Sequence, residues 1–503
     1  MNDLLPSLHG QLTQVFESIP YFMPEIYLAA LFVIILVTDL LFGKNSTWLC
    51  RILACAGLLI VISKDLEQFH PLLSGPHLFF SESLLLRHSS LIFKLLIDVL
   101  SFILLLYFEW DDDLKSHNKG LSDIYAIAIA GIFGLHLMVM AVNLLSIYLS
   151  VEMVSIASYL MVAYRSENAW SSEAGLKYVL FGAASSAIML YGISLLYGFG
   201  GTLNLFADNF LPGLLHVNSI AVSFALILFF VGIGFKLSFV PMHFWVPDVY
   251  QGAPTPVTAF LSTVPKIAAF GLLINFLAAL IFDQAKIGFD TGLFLSAIAI
   301  ATMIAGNFAA TLQNNVKRML AYSSIGHTGF ALMSVVAFNN SGNTTAISAL
   351  TFYLFAYVLA NTGALMLASY FANTAKAEDM NSYKGLGLKY PVAGAAFVII
   401  LISLTGLPIT AGFNGKLLVF SSVYSVYQQT HNPCLLLLMI TGALTTVVSL
   451  FYYIKIPLNL FLRKPEKPVD YPSSTSYLLI SSVIIALLLI YFGIFPDILA
   501  RFM

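Results

Sequence analysis

Charge is what this chain has least of. Only 10% of its 503 residues are Asp, Glu, Lys or Arg, whereas 59% are hydrophobic. Soluble domains carry about 25% charged residues, so this chain cannot cover a water-facing surface of ordinary size. Lipid is the solvent that the composition implies. A net charge of −2 offers no basic field for nucleic acid. Cysteine is also scarce. Cys50, Cys55 and Cys434 form no CxxC pair, which gives no support to a zinc site, an iron–sulfur cluster or a c-type haem. They read as free buried thiols. A P-loop is missing too. The nearest glycine pattern, Gly198-Phe199-Gly200-Gly201, lacks the strand–turn–helix setting of a dinucleotide fingerprint. The weakly hydrophobic stretches near 64–90, 110–122, 371–390 and 463–476 read as loops, too short for soluble domains.

Apolar runs dominate what remains. A helix needs about 20 apolar residues to cross the bilayer core. Runs that qualify lie at 20–43, 45–63, 91–110, 122–141, 143–164, 173–200, 218–241, 254–282, 292–312, 318–338, 347–372, 391–424, 433–460 and 475–498. The fold class is therefore an all-α membrane protein of about fourteen transmembrane helices. No Lys or Arg precedes Lys44, so the first run is expected to be a membrane helix and not a cleaved signal. Basic residues collect in the loops facing the cytoplasm. With the N-terminus outside, the inner loops hold fifteen, from Lys44 and Arg51 to Arg463, Lys464 and Lys467. The outer loops hold Lys64, Arg87, Lys286 and Arg501. This asymmetry places both termini on the outer, periplasmic side of a bacterial inner membrane.

Four basic residues are left over, Lys94, Lys236, Lys266 and Lys416, all inside membrane runs. An ionised side chain at the bilayer centre costs about 2.5–3.5 kcal/mol. Glu152, Lys236, Lys266 and Lys416, each central and unpaired, would together cost roughly 10–14 kcal/mol. They must be paired or hydrated. Burial and neighbouring charge act in opposite directions on such groups, so a buried lysine can lose or regain a proton when its neighbour changes. Arginine cannot do this, and no Arg lies mid-helix. The four residues are therefore read as a proton relay, against the alternative of local pairing or snorkelling. His327, His243 and Lys177 are further candidates for relay steps; a histidine can pass a proton between its two nitrogens. For His243 the reading as a packing residue is preferred. Lys94 and Asp98, four apart on one helix, are expected to pair with each other. Glu25 and Asp39 are expected at the membrane interface. His136 is expected to be a packing residue.

A faint internal repeat is visible. Ser155-Ile156-Ala157-Ser158 in the fifth helix resembles Ser324-Ile325-Gly326-His327 in the tenth. Lys236 with Pro241 in the seventh is matched by Lys416 with Pro408 in the twelfth. Five helices separate each pair, and an odd number inverts the repeat, a transporter pattern with its ion site at interrupted helices.

The stretch from Gly234 and Lys236 through Pro241, His243, Trp245, Pro247 and Asp248 to Ser262 resembles the signature of the antiporter-like membrane subunits of respiratory complex I. Its continuation, Val264-Pro265-Lys266-Ile267, resembles the N subunit in particular. Met23-Pro24-Glu25-Ile26, Lys177-Tyr178, and Leu404-Thr405-Gly406-Leu407-Pro408 with Gly415-Lys416 fit the same family. The resemblance implies two inverted five-helix repeats with helices 7 and 12 interrupted. The chain then divides into 1–121 (helices 1–3), 122–283 (first repeat, helices 4–8), 292–460 (second repeat, helices 9–13) and 475–503 (helix 14). It implies a proton path through Glu152, Lys236, Lys266 and Lys416. It also implies no cofactor or metal in this chain, with FMN, iron–sulfur clusters and quinone held by other subunits of the complex. A subunit of a multi-subunit cation/proton antiporter is the alternative.

Overall fold

A computed structural model describes residues 4–72, 75–117, 120–281, 288–464 and 477–502. Lys119, Lys286 and Lys467, used in the loop assignment, lie outside them. The helices longer than six residues are α1 (Leu4–Ser18), α2 (Met23–Phe42), α3 (Thr47–Glu67), α4 (His88–Trp110), α5 (Ser122–Met140), α6 (Leu144–Val162) and α7 (Ala169–Gly200). They continue with α8 (Ser219–Leu237), α9 (Trp245–Gly252), α10 (Thr255–Ile281), α11 (Thr291–Thr311) and α12 (Val316–Ser341). The last are α13 (Thr344–Ala375), α14 (Pro391–Thr405), α15 (Ala411–Thr430), α16 (Pro433–Tyr453) and α17 (Tyr477–Ile494). Among the described residues, twelve helices are long and apolar enough to cross a membrane. Helix α3 is long enough, at 21 residues, but carries Arg51, Lys64, Asp65 and Glu67. Helix α14 is apolar but short. The polar stretch after α3 is not only loop. It holds a small antiparallel hairpin, β1 (His77–Phe79) on β2 (Leu84–Leu86).

Burial is uneven, and its pattern locates the site. Nearly every side chain of α10, α12 and α13 is buried, whereas α7, α16 and α17 turn Leu, Ile and Phe outward. An apolar exterior around a packed interior is what lipid solvation requires. Close helix contact depends on small residues. At Gly306 of α11 an added Cβ would lie 2.3 Å from the Gly326 backbone nitrogen of α12.

Two of the long apolar runs are broken. Helix α8 stops at Leu237, Ser238 adopts a left-handed φ of 62°, and the chain restarts at Trp245. Pro241 has no N–H to continue the ladder. The Val240 N–H donates instead to Thr302 Oγ1 of α11 at 3.0 Å. The 391–424 run divides between α14 and α15. Gly406 closes α14 at φ 83°, its N–H and that of Leu407 returning to the Ile402 carbonyl at 3.0 and 3.1 Å. This is the glycine-terminated helix end, and Pro408 follows it.

Candidate functional site

Lys236 sits in the last turn of α8, just before the first break, and Lys416 in the second turn of α15, just after the other. A helix C-terminus presents carbonyls without intrahelical partners and a partial negative charge. Lys416 uses it directly: Nζ donates to the Thr405 carbonyl at the end of α14, 2.8 Å away. It also lies 4.6 Å from the Phe330 ring centre, a cation–π distance. Gly406 makes this approach possible, because a Cβ there would fall 2.7 Å from Lys416 Cδ.

Lys266 lies on α10 beside Pro265. Its Nζ donates to the Ser324 carbonyl (2.9 Å), Ser324 Oγ (2.6 Å) and Thr328 Oγ1 (3.0 Å) of α12. The Thr328 hydroxyl lies 2.9 Å from the Leu237 carbonyl. Hydrogen bonds therefore run from the broken end of α8, one residue past Lys236, to Lys266. Tyr357 extends them: its hydroxyl lies 2.8 Å from Ser324 Oγ and 3.0 Å from the Ser262 carbonyl. Its ring packs on His327, with 4.8 Å between centroids. His327 Nδ1 meets the Tyr353 hydroxyl at 2.7 Å and Nε2 the Tyr453 hydroxyl at 3.1 Å. His327, Tyr353, Tyr357 and Lys416 line one small cavity, with about 10 Å³ open to a water centre. That is room for about one water molecule.

The structure thus gathers Lys266, His327 and Lys416 around one buried set of hydroxyls. Lys236 stands next to it, one residue before the Leu237 carbonyl that accepts from Thr328. Lys236 Nζ is buried and makes no hydrogen bond. Glu152 of α6 is within electrostatic reach of it, but its Oε1 is likewise buried without a partner. Glu152 and Lys236 thus make no direct ion pair. Lys177 and His243 lie elsewhere. Lys177 Nζ pairs with Glu173 (2.7 Å) and Asp248 (2.9 Å), and Asp248 also holds Arg318 at 2.7 Å. His243 is in the α8–α9 break, half-buried against Phe244, with its Nδ1 unpartnered.

Three expectations about the N-terminal helices fail. Glu25 is fully buried, not interfacial. Lys94 does not pair with Asp98; its Nζ contacts Glu25 Oε1 at 2.7 Å and Asp65 Oδ1 at 2.6 Å. His136 is no packing residue: Nδ1 lies 3.0 Å from Glu25 Oε1 and Nε2 2.9 Å from Asp98 Oδ1. Tyr353, Tyr357 and Tyr453 have no signal in the sequence, because tyrosine in a buried helix carries no periodicity of its own.

Comparison with known proteins identifies the family and the fold. Residues 141–446 match the family described as NADH:quinone oxidoreductase/Mrp antiporter, TM. The chain is 38% identical over 489 residues to NADH-quinone oxidoreductase subunit N of Chlorobium chlorochromatii, covering 95% of this chain and 92% of the relative. A solved chain of respiratory complex I from Thermus thermophilus with bound aureothin is similar at a TM-score of 0.76 and 27% identity. That match covers 95% of this chain and 98% of the other. A chain of the Mrp complex from Dietzia shares the fold, with a TM-score of 0.78 at 17% identity and 95% of each chain covered.

Proposed function

Because the chain belongs to the NADH:quinone oxidoreductase/Mrp antiporter transmembrane family, with subunit N relatives along nearly its whole length, we propose that it carries protons through the membrane arm of an NADH:quinone oxidoreductase. Other subunits of that complex hold the FMN, the iron–sulfur clusters and the quinone. The observation that carries the reading is the hydrogen-bonded line from the Leu237 carbonyl through Thr328, Lys266 and Ser324 to Tyr357.

Glu152 attracts the Lys236 ammonium without touching it. Charge arriving from a neighbouring subunit draws Glu152 and Lys236 together or apart. When they part, Lys236 passes its proton toward Lys266. His327 and its two tyrosines bridge Lys266 and Lys416, and Lys416 releases the proton on the far side. Lys177 and His243 act at the edge of this path, not within it. Fourteen crossings follow if α3 counts as one and α14 with α15 as another. Two inverted repeats, 122–283 and 292–460, then each contain one broken helix beside a lysine. The basic-residue asymmetry favours a bacterial inner membrane with both termini periplasmic.

The test is Lys236→Ala in the assembled complex, read as protons moved per electron. A marked fall at retained quinone reduction is expected; an unchanged ratio refutes the relay. A cation/proton antiporter subunit is the second reading, favoured by the Dietzia fold match. Co-purification separates the two, because flavin and iron–sulfur partners belong only to the first.

A further inference from the structure

The buried charges of the N-terminal helices lie outside the lysine row and have their own arithmetic. Five titratable side chains from four helices meet here: Glu25 of α2, Asp65 of α3, Lys94 and Asp98 of α4, and His136 of α5. Every one is fully buried. The uncharged Gln68 completes the set, its Oε1 accepting from Lys94 Nζ at 3.0 Å. Glu25 Oε1 and Asp65 Oδ1 lie 2.7 and 2.6 Å from the same nitrogen, and two carboxylates this close hold Lys94 as the ammonium. Both imidazole nitrogens of His136 face carboxylate oxygens at hydrogen-bond distance. Each of those contacts needs a proton between nitrogen and oxygen.

Counted this way, two cations face three carboxylates, and the cluster is left at −1. An uncompensated charge on fully buried side chains is costly in a membrane interior. The geometry shows where compensation goes. Glu25 Oε1 is approached by both Lys94 and His136, so Glu25 is the best-held anion. Asp65 has only Lys94, and Asp98 only His136. Asp65 and Asp98 interact with each other, and Asp98 Oδ2 and both Asp65 carboxylate oxygens are buried without a hydrogen-bond partner. A metal ion would have to displace the ammonium already lying between Glu25 and Asp65.

We propose that the Asp65–Asp98 pair binds one proton, shared as a carboxylic acid–carboxylate hydrogen bond, and that this is a protonation site separate from the lysine row. The bound proton brings the cluster to neutrality and gives one orphan oxygen on each aspartate a partner. The same total holds if His136 is neutral and its proton sits on a carboxyl, so the count does not depend on a tautomer.

The experiment uses the intact complex with Asp65→Asn or Asp98→Asn in this chain. It reads the level of assembled complex and the infrared C=O band of protonated carboxylic acids. Asparagine reproduces the shape and neutrality of the protonated acid, and its amide N–H can donate to the remaining carboxylate. Assembly at the parental level is expected, with one protonated-carboxyl band lost in either variant. Lys94→Met supplies the opposite arm: removing a cation demands a further bound proton, so a band is gained where the complex persists. An assembled Asp65→Asn complex with an unchanged band overturns the proposal. Failure of both asparagine variants to assemble also overturns it, because a site already holding a proton has no need of a second negative charge there.

Discussion

Thr328→Val removes one oxygen from the middle of the hydrogen-bonded line and almost no volume. The hydroxyl it deletes accepts from Lys266 Nζ at 3.0 Å and lies 2.9 Å from the Leu237 carbonyl. A hydrogen bond to a charged group contributes about 1.5–3 kcal/mol. At about 1.4 kcal/mol per factor of ten, losing that bond weakens the seat of the Lys266 ammonium by roughly 10- to 150-fold in equilibrium terms. Lys266 keeps both of its Ser324 contacts, so the lysine itself stays in place. The Leu237 carbonyl is left bare, which costs about 1–3 kcal/mol locally and spares the rest of the fold. The assay is proton uptake by vesicles containing the assembled complex, normalised to quinone reduction. A reduced proton-to-electron ratio is expected for Thr328→Val, and recovery for Thr328→Ser, which restores the hydroxyl. A valine variant that pumps at the parental ratio would refute the line as a path.

Lys416→Arg keeps a cation at the α14–α15 break but cannot give up its proton; pumping per electron is expected to fall while the complex still assembles. Gly406→Ala forces a Cβ into the left-handed region and to within 2.7 Å of Lys416 Cδ. A strain of about 1–2 kcal/mol and a lower thermal midpoint of the complex are expected; an unchanged midpoint argues against Lys416 lying on the helix end. Gly306→Ala meets backbone atoms of Gly326 and Tyr322 at 2.3 and 2.8 Å. Backbone cannot swing aside as a side chain can, so α11 and α12 must separate, and the level of assembled complex in membranes is expected to drop sharply.

Much of the site was legible before any coordinates. Lys236, Lys266 and Lys416 stood out because a charge in an apolar run is costly wherever its partners lie, and the breaks beside two of them were marked by Pro241, Gly406 and Pro408. What the sequence hid was partnership. Lys94 and Asp98 have the spacing of a helical pair, but with the lysine first, the less favourable order. Acids from α2 and α3 were nearer. Glu25 looked interfacial because its depth depends on how α2, α3, α4 and α5 converge, and no single helix pattern encodes that. Tyr357 and Tyr453 escaped notice for a related reason: hydroxyls satisfied across helices look, in one dimension, like ordinary polar spacers.

The partners chosen for Lys266 have a consequence of their own. Ser324 and Thr328 offer hydroxyls, and a hydroxyl both gives and takes a hydrogen bond. Toward an ammonium it accepts; toward a free amine it turns and donates. A carboxylate in the same place could do only the first, and would be stranded as a lone anion each time the proton left. Lys266 therefore has a seat that fits it loaded and unloaded, and the change between the two asks only for the rotation of O–H bonds.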